Sequence, residues 1–150
     1  MKEVENITNS NAVAKLPLLA AVVALLGLGD AIYLTIHHLT GEMVPCNATG
    51  GCETVLTSSY AEIGGIPLAA FGAVAYFIAF SLAILAAFGN RRMWLLFGIQ
   101  VSLMALASSY FVYLQLFVIK AICQYCMVSA GVCFTLFTIA LISKFWRSKI

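Results

Sequence analysis

The chain has 150 residues, 63% of them apolar and only 9% charged, with a net charge of +2. An average soluble domain carries roughly 25% charged and about 45 to 50% apolar residues, so the composition excludes a water-soluble enzyme and a nucleic-acid-binding domain and marks an integral membrane protein. At this length one helical bundle uses up the chain.

Residues 1–15 are polar, rich in Asn, Ser, Glu and Thr, and are expected to form a short disordered cytoplasmic tail. The first apolar run, 16–36, follows Lys2 and Lys15 as a secretory signal would follow its basic region. It is longer than a signal core and no small-x-small cleavage site follows, so it is predicted to be a retained span. Inside it lies Asp30. A carboxylate at the centre of a spanning helix costs about 2.5 to 3.5 kcal/mol on insertion scales, which points either to a proton-transfer role or to partial hydration near the outer end. His37 and His38 follow at the rim, as proton relays or as interfacial residues.

The only long polar segment, 37–65, holds Cys46 and Cys52 in a Pro/Gly-rich tip. Asn47, Ala48 and Thr49 make a glycosylation sequence, discounted because a sugar there would crowd Cys46. In residues 53–63, Val55, Leu56, Tyr60 and Ile63 share one helical face, which predicts a short helix lying in the membrane interface. Gly64 and Gly65 free the backbone to turn, and Pro67 suits the first turn of a second span over 66–88. A third span is expected over 93–119. In it Gly98, Ser102, Ala105 and Ser109 recur at spacings that predict a close-packing stripe, and Gln115 near its outer end is a hydrogen-bonding group for a ligand carbonyl or for a neighbouring helix. A tight turn around Lys120 leads into the fourth span, 122–142, which opens with Cys123-Gln124-Tyr125-Cys126. Residues 144–150 form a basic cytoplasmic tail. The expected fold is an all-α membrane protein, in which residues 16–143 form a four-helix transmembrane bundle with a short interfacial helix in its first outward loop.

Lys and Arg in short loops resist translocation. Of the eight basic residues, all but Lys120 fall on the side of the two termini and the turn at residues 89–92. Both termini are thus predicted to be cytoplasmic, and both cysteine pairs to face outward, where disulfides form and persist.

Cysteines three apart at a helix start share one face, and the helix dipole favours a thiolate in the first turn. A lowered pKa suits a redox thiol. Cys46 and Cys52, on a flexible tip, can close a ring, meet a soluble partner and deliver electrons to a second disulfide at the membrane surface. The competing uses are structural disulfides and a zinc site, the latter disfavoured because an oxidising compartment competes for the thiols; no metal is expected. Haem attachment needs Cys-x-x-Cys-His, and Met127 holds the last position. Cys133, seven residues past Cys126, reads as a small packing residue outside any relay.

With these residues together, the chain resembles the vitamin K epoxide reductase family in its prokaryotic quinone-linked form. The matching pieces are Tyr33-Leu34-Thr35, the pair Cys46 and Cys52, the run from Val55 to Tyr60, Ile66-Pro67-Leu68 with Phe71-Gly72, and the Cys123 to Cys126 motif. The resemblance implies a four-helix bundle enclosing a quinone of ubiquinone or menaquinone type near Cys126, with Leu68, Phe71, Ala130 and Gln115 as quinone-lining candidates. It implies that a reduced thioredoxin-like protein attacks Cys46, that the released Cys52 attacks Cys123, and that Cys126 reduces the quinone. Ser58 matches a serine that assists near the active site, or serves as a helix cap. Ala130 and Leu68 stand where the animal enzymes carry a tyrosine and an asparagine, which favours a plain quinone over an epoxide. Because the chain ends at Ile150 without the thioredoxin-like domain that many prokaryotic members carry, the expected partner is a separate extracytoplasmic thioredoxin-fold dithiol protein, and the expected location the prokaryotic inner membrane. An unrelated bacterial four-span quinone reductase carries its cysteine pairs in the reverse order. A non-enzymatic four-span scaffold held by structural disulfides is the alternative from another class.

Overall fold

The computed structural model describes residues 2–47 and 50–149. Four helices are long and apolar enough to cross a membrane: Ala14–Thr40, Leu68–Ala87, Arg91–Ile119 and Gln124–Ser148. They correspond to the four runs expected from hydropathy. The first belongs to α1, Lys2–Thr40. The expected disordered tail is therefore helical from Lys2 onward, and nothing in residues 2–16 breaks a helix; Pro17 is the first proline.

In the loop between the first two spans, a short α2, Cys52–Leu56, is followed by a hairpin of β1, Glu62–Ile63, and β2, Ile66–Pro67. The expected interfacial helix is thus present but only five residues long. At its end the Ser58 N–H reaches the Val55 carbonyl three residues back at 3.3 Å instead of continuing the ladder, while Thr57 Oγ1 donates to the Glu53 carbonyl and Ser58 Oγ to the Val55 carbonyl, each at 2.7 Å. Gly64 and Gly65 then take φ of +61° and +81°, the left-handed pair that a two-residue hairpin turn requires. Tyr60 and Ile63 are left exposed rather than on a common helical face. The glycosylation sequence at residues 47–49, and with it the centre of the loop tip, lies partly outside the described residues.

The remaining spans are α3, Leu68–Ala87; α4, Arg91–Tyr113; and α5, Gln124–Lys149. Each spanning helix packs on two neighbours in the ring α1, α3, α4, α5. The most extensive packing is between α1 and α3. Ala20, Ala21, Ala24 and Ala31 are buried with Ala79 and Ala83 in the core that these helices share, the small-residue interface by which membrane helices associate without a hydrophobic drive. The stripe expected on the third span is not such a face: a Cβ on Gly98 would meet nothing within 4 Å. Ser102 and Ser109 instead donate to the carbonyls four residues back, at 2.7 and 2.8 Å, which satisfies their hydroxyls without any neighbouring helix. α4 turns Trp94, Phe97, Val101 and Met104 inward. At the end of the bundle away from the cysteine pairs, Trp94 Nε1 donates to Ser143 Oγ at 2.9 Å, so a buried polar pair ties α4 to α5.

Past Tyr113 the third span loosens into a π-helical segment, Leu114–Ile119. It ends at Lys120, whose φ of +56° makes the sharp turn anticipated there. The Ala121 N–H reaches back to the Gln115 carbonyl at 3.1 Å, which closes the turn.

Candidate active site: two cysteine pairs above an apolar cavity

Folding places the two cysteine pairs, far apart in sequence, against each other. Cys46 and Cys52 are joined as a disulfide with Cα atoms 5.9 Å apart, while Cys123, Cys126 and Cys133 are free thiols. Cys52, Val55 and Cys123 form a buried cluster against which Cys46, Tyr125 and Cys126 pack.

Three local devices build this contact. The first is Gly51. A Cβ on it would lie 2.7 Å from the Ile122 carbonyl oxygen and 2.8 Å from the Ile122 nitrogen, so only glycine lets the loop rest on the turn after Lys120. The second is Tyr125, inside the Cys-x-x-Cys motif, whose hydroxyl donates to the Pro45 carbonyl at 3.0 Å and holds the chain just ahead of Cys46. The third is Gln115, buried in the π segment, whose side-chain oxygen accepts the Cys123 N–H at 3.0 Å. The sequence reading left Gln115 open between quinone and helix; its oxygen is engaged by the Cys123 backbone. π segments of this kind occur often at functional sites.

Cys123 stands one residue ahead of α5 rather than within its first turn, with its carbonyl accepting the Met127 N–H at 3.0 Å. The Cys126 thiol bonds to its sulfur, and this pulls the Cys123 pKa down to about 7; burial opposes the shift and the backbone N–H groups of Cys126 and Tyr125 add to it. At neutral pH a large fraction of such a thiol is the nucleophilic thiolate.

Beside the cluster, between the halves of the helices nearer the cysteine pairs, lies a cavity of about 330 Å³, within the size range of sites for small organic ligands. Its walls are mainly apolar, and Cys126 opens onto it while Cys123 does not. The sequence candidates Asp30, Ser58, Leu68, Phe71, Gln115 and Ala130 all line it. Ala130 and Leu68 add no hydrogen-bonding group to the wall. Ser58 spends its proton on the end of α2. Over the mouth, His38 Nε2 pairs with Glu62 Oε1 at 2.7 Å, tying the hairpin to α1, while His37 stands 3.8 Å from Glu42.

The sequence reading missed a polar cluster on the cavity's inner wall. The Tyr76 hydroxyl donates to the Ser129 carbonyl at 2.8 Å and lies 2.8 Å from Ser129 Oγ and 3.1 Å from Cys133 Sγ. Cys133 thus has a hydrogen-bonding partner as well as a packing place. Nothing in the spacing of Tyr76 within an apolar run distinguishes it from a lipid-facing tyrosine.

A sequence profile of the vitamin K epoxide reductase family matches residues 18–141, which takes in both cysteine pairs and the loop between the first two spans. The thiol-disulfide oxidoreductase LTO1 of Arabidopsis thaliana is 38% identical to the chain over 118 residues, covering 72% of this chain and 31% of that protein, so the chain spans under a third of this relative's length. A match over residues 18–141, most of the chain, makes this protein a member of the vitamin K epoxide reductase family.

Proposed function

We propose that the chain is a membrane thiol oxidoreductase that generates disulfides: it oxidises a thioredoxin-fold dithiol protein outside the membrane and passes the electrons through two cysteine pairs to a quinone. The observation that carries this reading is the burial of Cys52 against Cys123 together with the opening of Cys126 onto the apolar cavity. A sulfur inside the cavity and a sulfur facing the loop disulfide are what a two-stage relay needs, and a scaffold with structural bridges has no use for either. The activity printed in the name of the relative LTO1, thiol-disulfide oxidoreduction, is in keeping with it.

In this reading a thiolate of the partner attacks Cys46 and releases Cys52 as a thiolate; the partner's second thiolate then breaks the mixed disulfide, leaving the partner oxidised and the outer pair reduced. Cys52 next attacks Cys123 of the oxidised inner pair and releases Cys126. Attack by Cys46 on Cys52 restores the outer disulfide and leaves Cys123 and Cys126 reduced. The structure, with the outer pair joined and the inner pair free, corresponds to this last stage. A bound quinone supplies a lipid-soluble acceptor for two electrons and two protons. The residues fit such a molecule: apolar walls on α3 and α4 suit its ring, and Asp30 Oδ2, buried without a hydrogen-bond partner among the described residues, is a polar group left free on the wall. With alanine at 130 and leucine at 68, the walls suit a plain quinone better than an epoxide. The bundle is oriented with both termini in the cytoplasm and the cysteine pairs outward in a prokaryotic inner membrane, as the distribution of basic residues supports.

The test is quinone reduction by the purified protein with a reduced thioredoxin-fold dithiol protein as donor, for the wild type and for Cys46→Ala, Cys52→Ala, Cys123→Ala and Cys126→Ala. All four substitutions are expected to abolish turnover, and a donor lacking its second cysteine is expected to form a mixed disulfide with Cys46 of the wild type, the Cys46–Cys52 bond breaking and Cys52 leaving as a thiol. Full quinone reduction by Cys126→Ala would sink the mechanism.

A further inference from the structure

We propose that Asp30 is the acid–base residue of the cavity, taking up the proton released when the Cys126 thiol ionises and delivering it to an oxygen of the bound quinone. The inference rests on the quinone reading above and adds the route of a proton to it.

Asp30 is the one acidic residue within the four spans. Buried carboxylates that serve structure are paired or hydrogen-bonded, because leaving one unpaired in an apolar site is costly. Here Oδ2 has no hydrogen-bond partner among the described residues, and the side chain lines the cavity onto which Cys126 opens. Neighbouring polar groups are already engaged: Tyr76 with Ser129 and Cys133, Gln115 with the Cys123 backbone, Ser58 with the Val55 carbonyl. The carboxyl is therefore held available toward the cavity, where a bound oxygen acceptor would be its hydrogen-bonding partner.

The chemistry balances with one such group. Reduction of a quinone by the inner pair forms one S–S bond, between Cys123 and Cys126, and moves two electrons and two protons. The Cys126 proton passes to Asp30 and from Asp30 to one quinone oxygen; the other proton comes from the Cys123 thiol or, where Cys123 is already a thiolate, from water. Asp30 ends each cycle in the state in which it began, so no further reductant or oxidant is involved. The titratable groups facing this process are Tyr76 on α3, Cys126 and Cys133 on α5, Cys123 just ahead of α5, Tyr60 in the loop and His38 farther out on α1; α4 lines the cavity with uncharged side chains.

The experiment uses the full chain in detergent with decylubiquinone as acceptor and dithiothreitol as donor, comparing wild type, Asp30→Asn and Asp30→Glu. Turnover, its pH profile, equilibrium binding of decylubiquinone and the infrared difference spectrum on adding decylubiquinone are read for each. Loss of a positioned acid–base group lowers turnover by about 100-fold or more. Asp30→Asn is expected to show that loss, to keep decylubiquinone binding within about threefold and to lose the acid limb of the wild-type pH profile. The carboxyl band in its difference spectrum should vanish, and Asp30→Glu should recover at least about tenfold of the lost rate. Wild-type rate and pH profile in Asp30→Asn, or a carboxyl band that survives the substitution, overturns the assignment to Asp30 and leaves the quinone reading standing. Absence of both binding and reduction in the wild type overturns the quinone reading itself, and this proposal with it.

Discussion

In the proposed relay Cys123 is the sulfur at which the outer pair hands over to the inner one, and its environment suits that position. An ordinary cysteine titrates near 8.5; the Cys126 thiol, bonded to the Cys123 sulfur, brings it to about 7. Because the thiolate is the reactive form, reactivity rises as pH passes upward through the pKa. Removing the largest contributor with Cys126→Ala should move that midpoint upward, so that methylthiolation of Cys123 at pH 7, followed by mass spectrometry, slows by about tenfold. A midpoint unchanged by Cys126→Ala would mean that the helix start alone sets the pKa. The grouping of four of the five cysteines into two closely spaced pairs was legible in the chain. Spacing alone does not separate Cys123 from Cys126, which the family resemblance does; packing sets the first against the loop cysteines and the second against a cavity.

At the scale of elements, the loop between the first two spans and the turn between the last two form one unit, held by Gly51, Tyr125 and Gln115. Thiol exchange demands close approach of sulfurs, and a misplacement of about 1 Å can cost two orders of magnitude in rate. Gly51→Ala forces its Cβ onto the Ile122 backbone. It is expected to slow electron transfer from the outer to the inner pair by at least about tenfold, measured by rapid acid quench and alkylation, while reduction of the outer pair by a small dithiol continues at its wild-type rate. Equal slowing of both steps would point to general loosening of the loop instead. The Gly50-Gly51 pair ahead of Cys52 was legible as a flexible tip, but as mobility, not as contact. The short α2 was legible too, and its length was not: the Ser58 and Ala61 N–H groups bond carbonyls three residues back rather than four, which ends the helix at a turn that hydropathy does not mark.

For the whole molecule, the ring of four helices closes around its most extensive seam, the alanine-lined contact of α1 with α3. Gly27 belongs to that seam, and a Cβ there would overlap the Tyr76 ring. Overpacking a filled interface costs about 1 to 3 kcal/mol, so Gly27→Val should lower stability by that amount in an unfolding titration with denaturing detergent. It should also weaken ligand binding by pushing Tyr76 from its place on the cavity wall; an unchanged midpoint would mean that the helices shift apart without loss. By itself the sequence determined the number of spans, their approximate limits, the placement of both cysteine pairs at helix ends and the family resemblance. Those properties follow from local hydropathy and short-range spacing, which hydrocarbon thickness and helix geometry translate directly into structure. Only the tertiary structure decided that the outer disulfide rests on Cys123, that Cys126 alone of the inner pair opens onto the cavity, that alanines on α1 and α3 rather than the stripe on α4 make the close seam, and that Asp30 faces the cavity with an unpartnered oxygen. Each of these is a relation between segments tens of residues apart, and in an almost uniformly apolar chain any face of a helix can turn inward until its neighbours are in place.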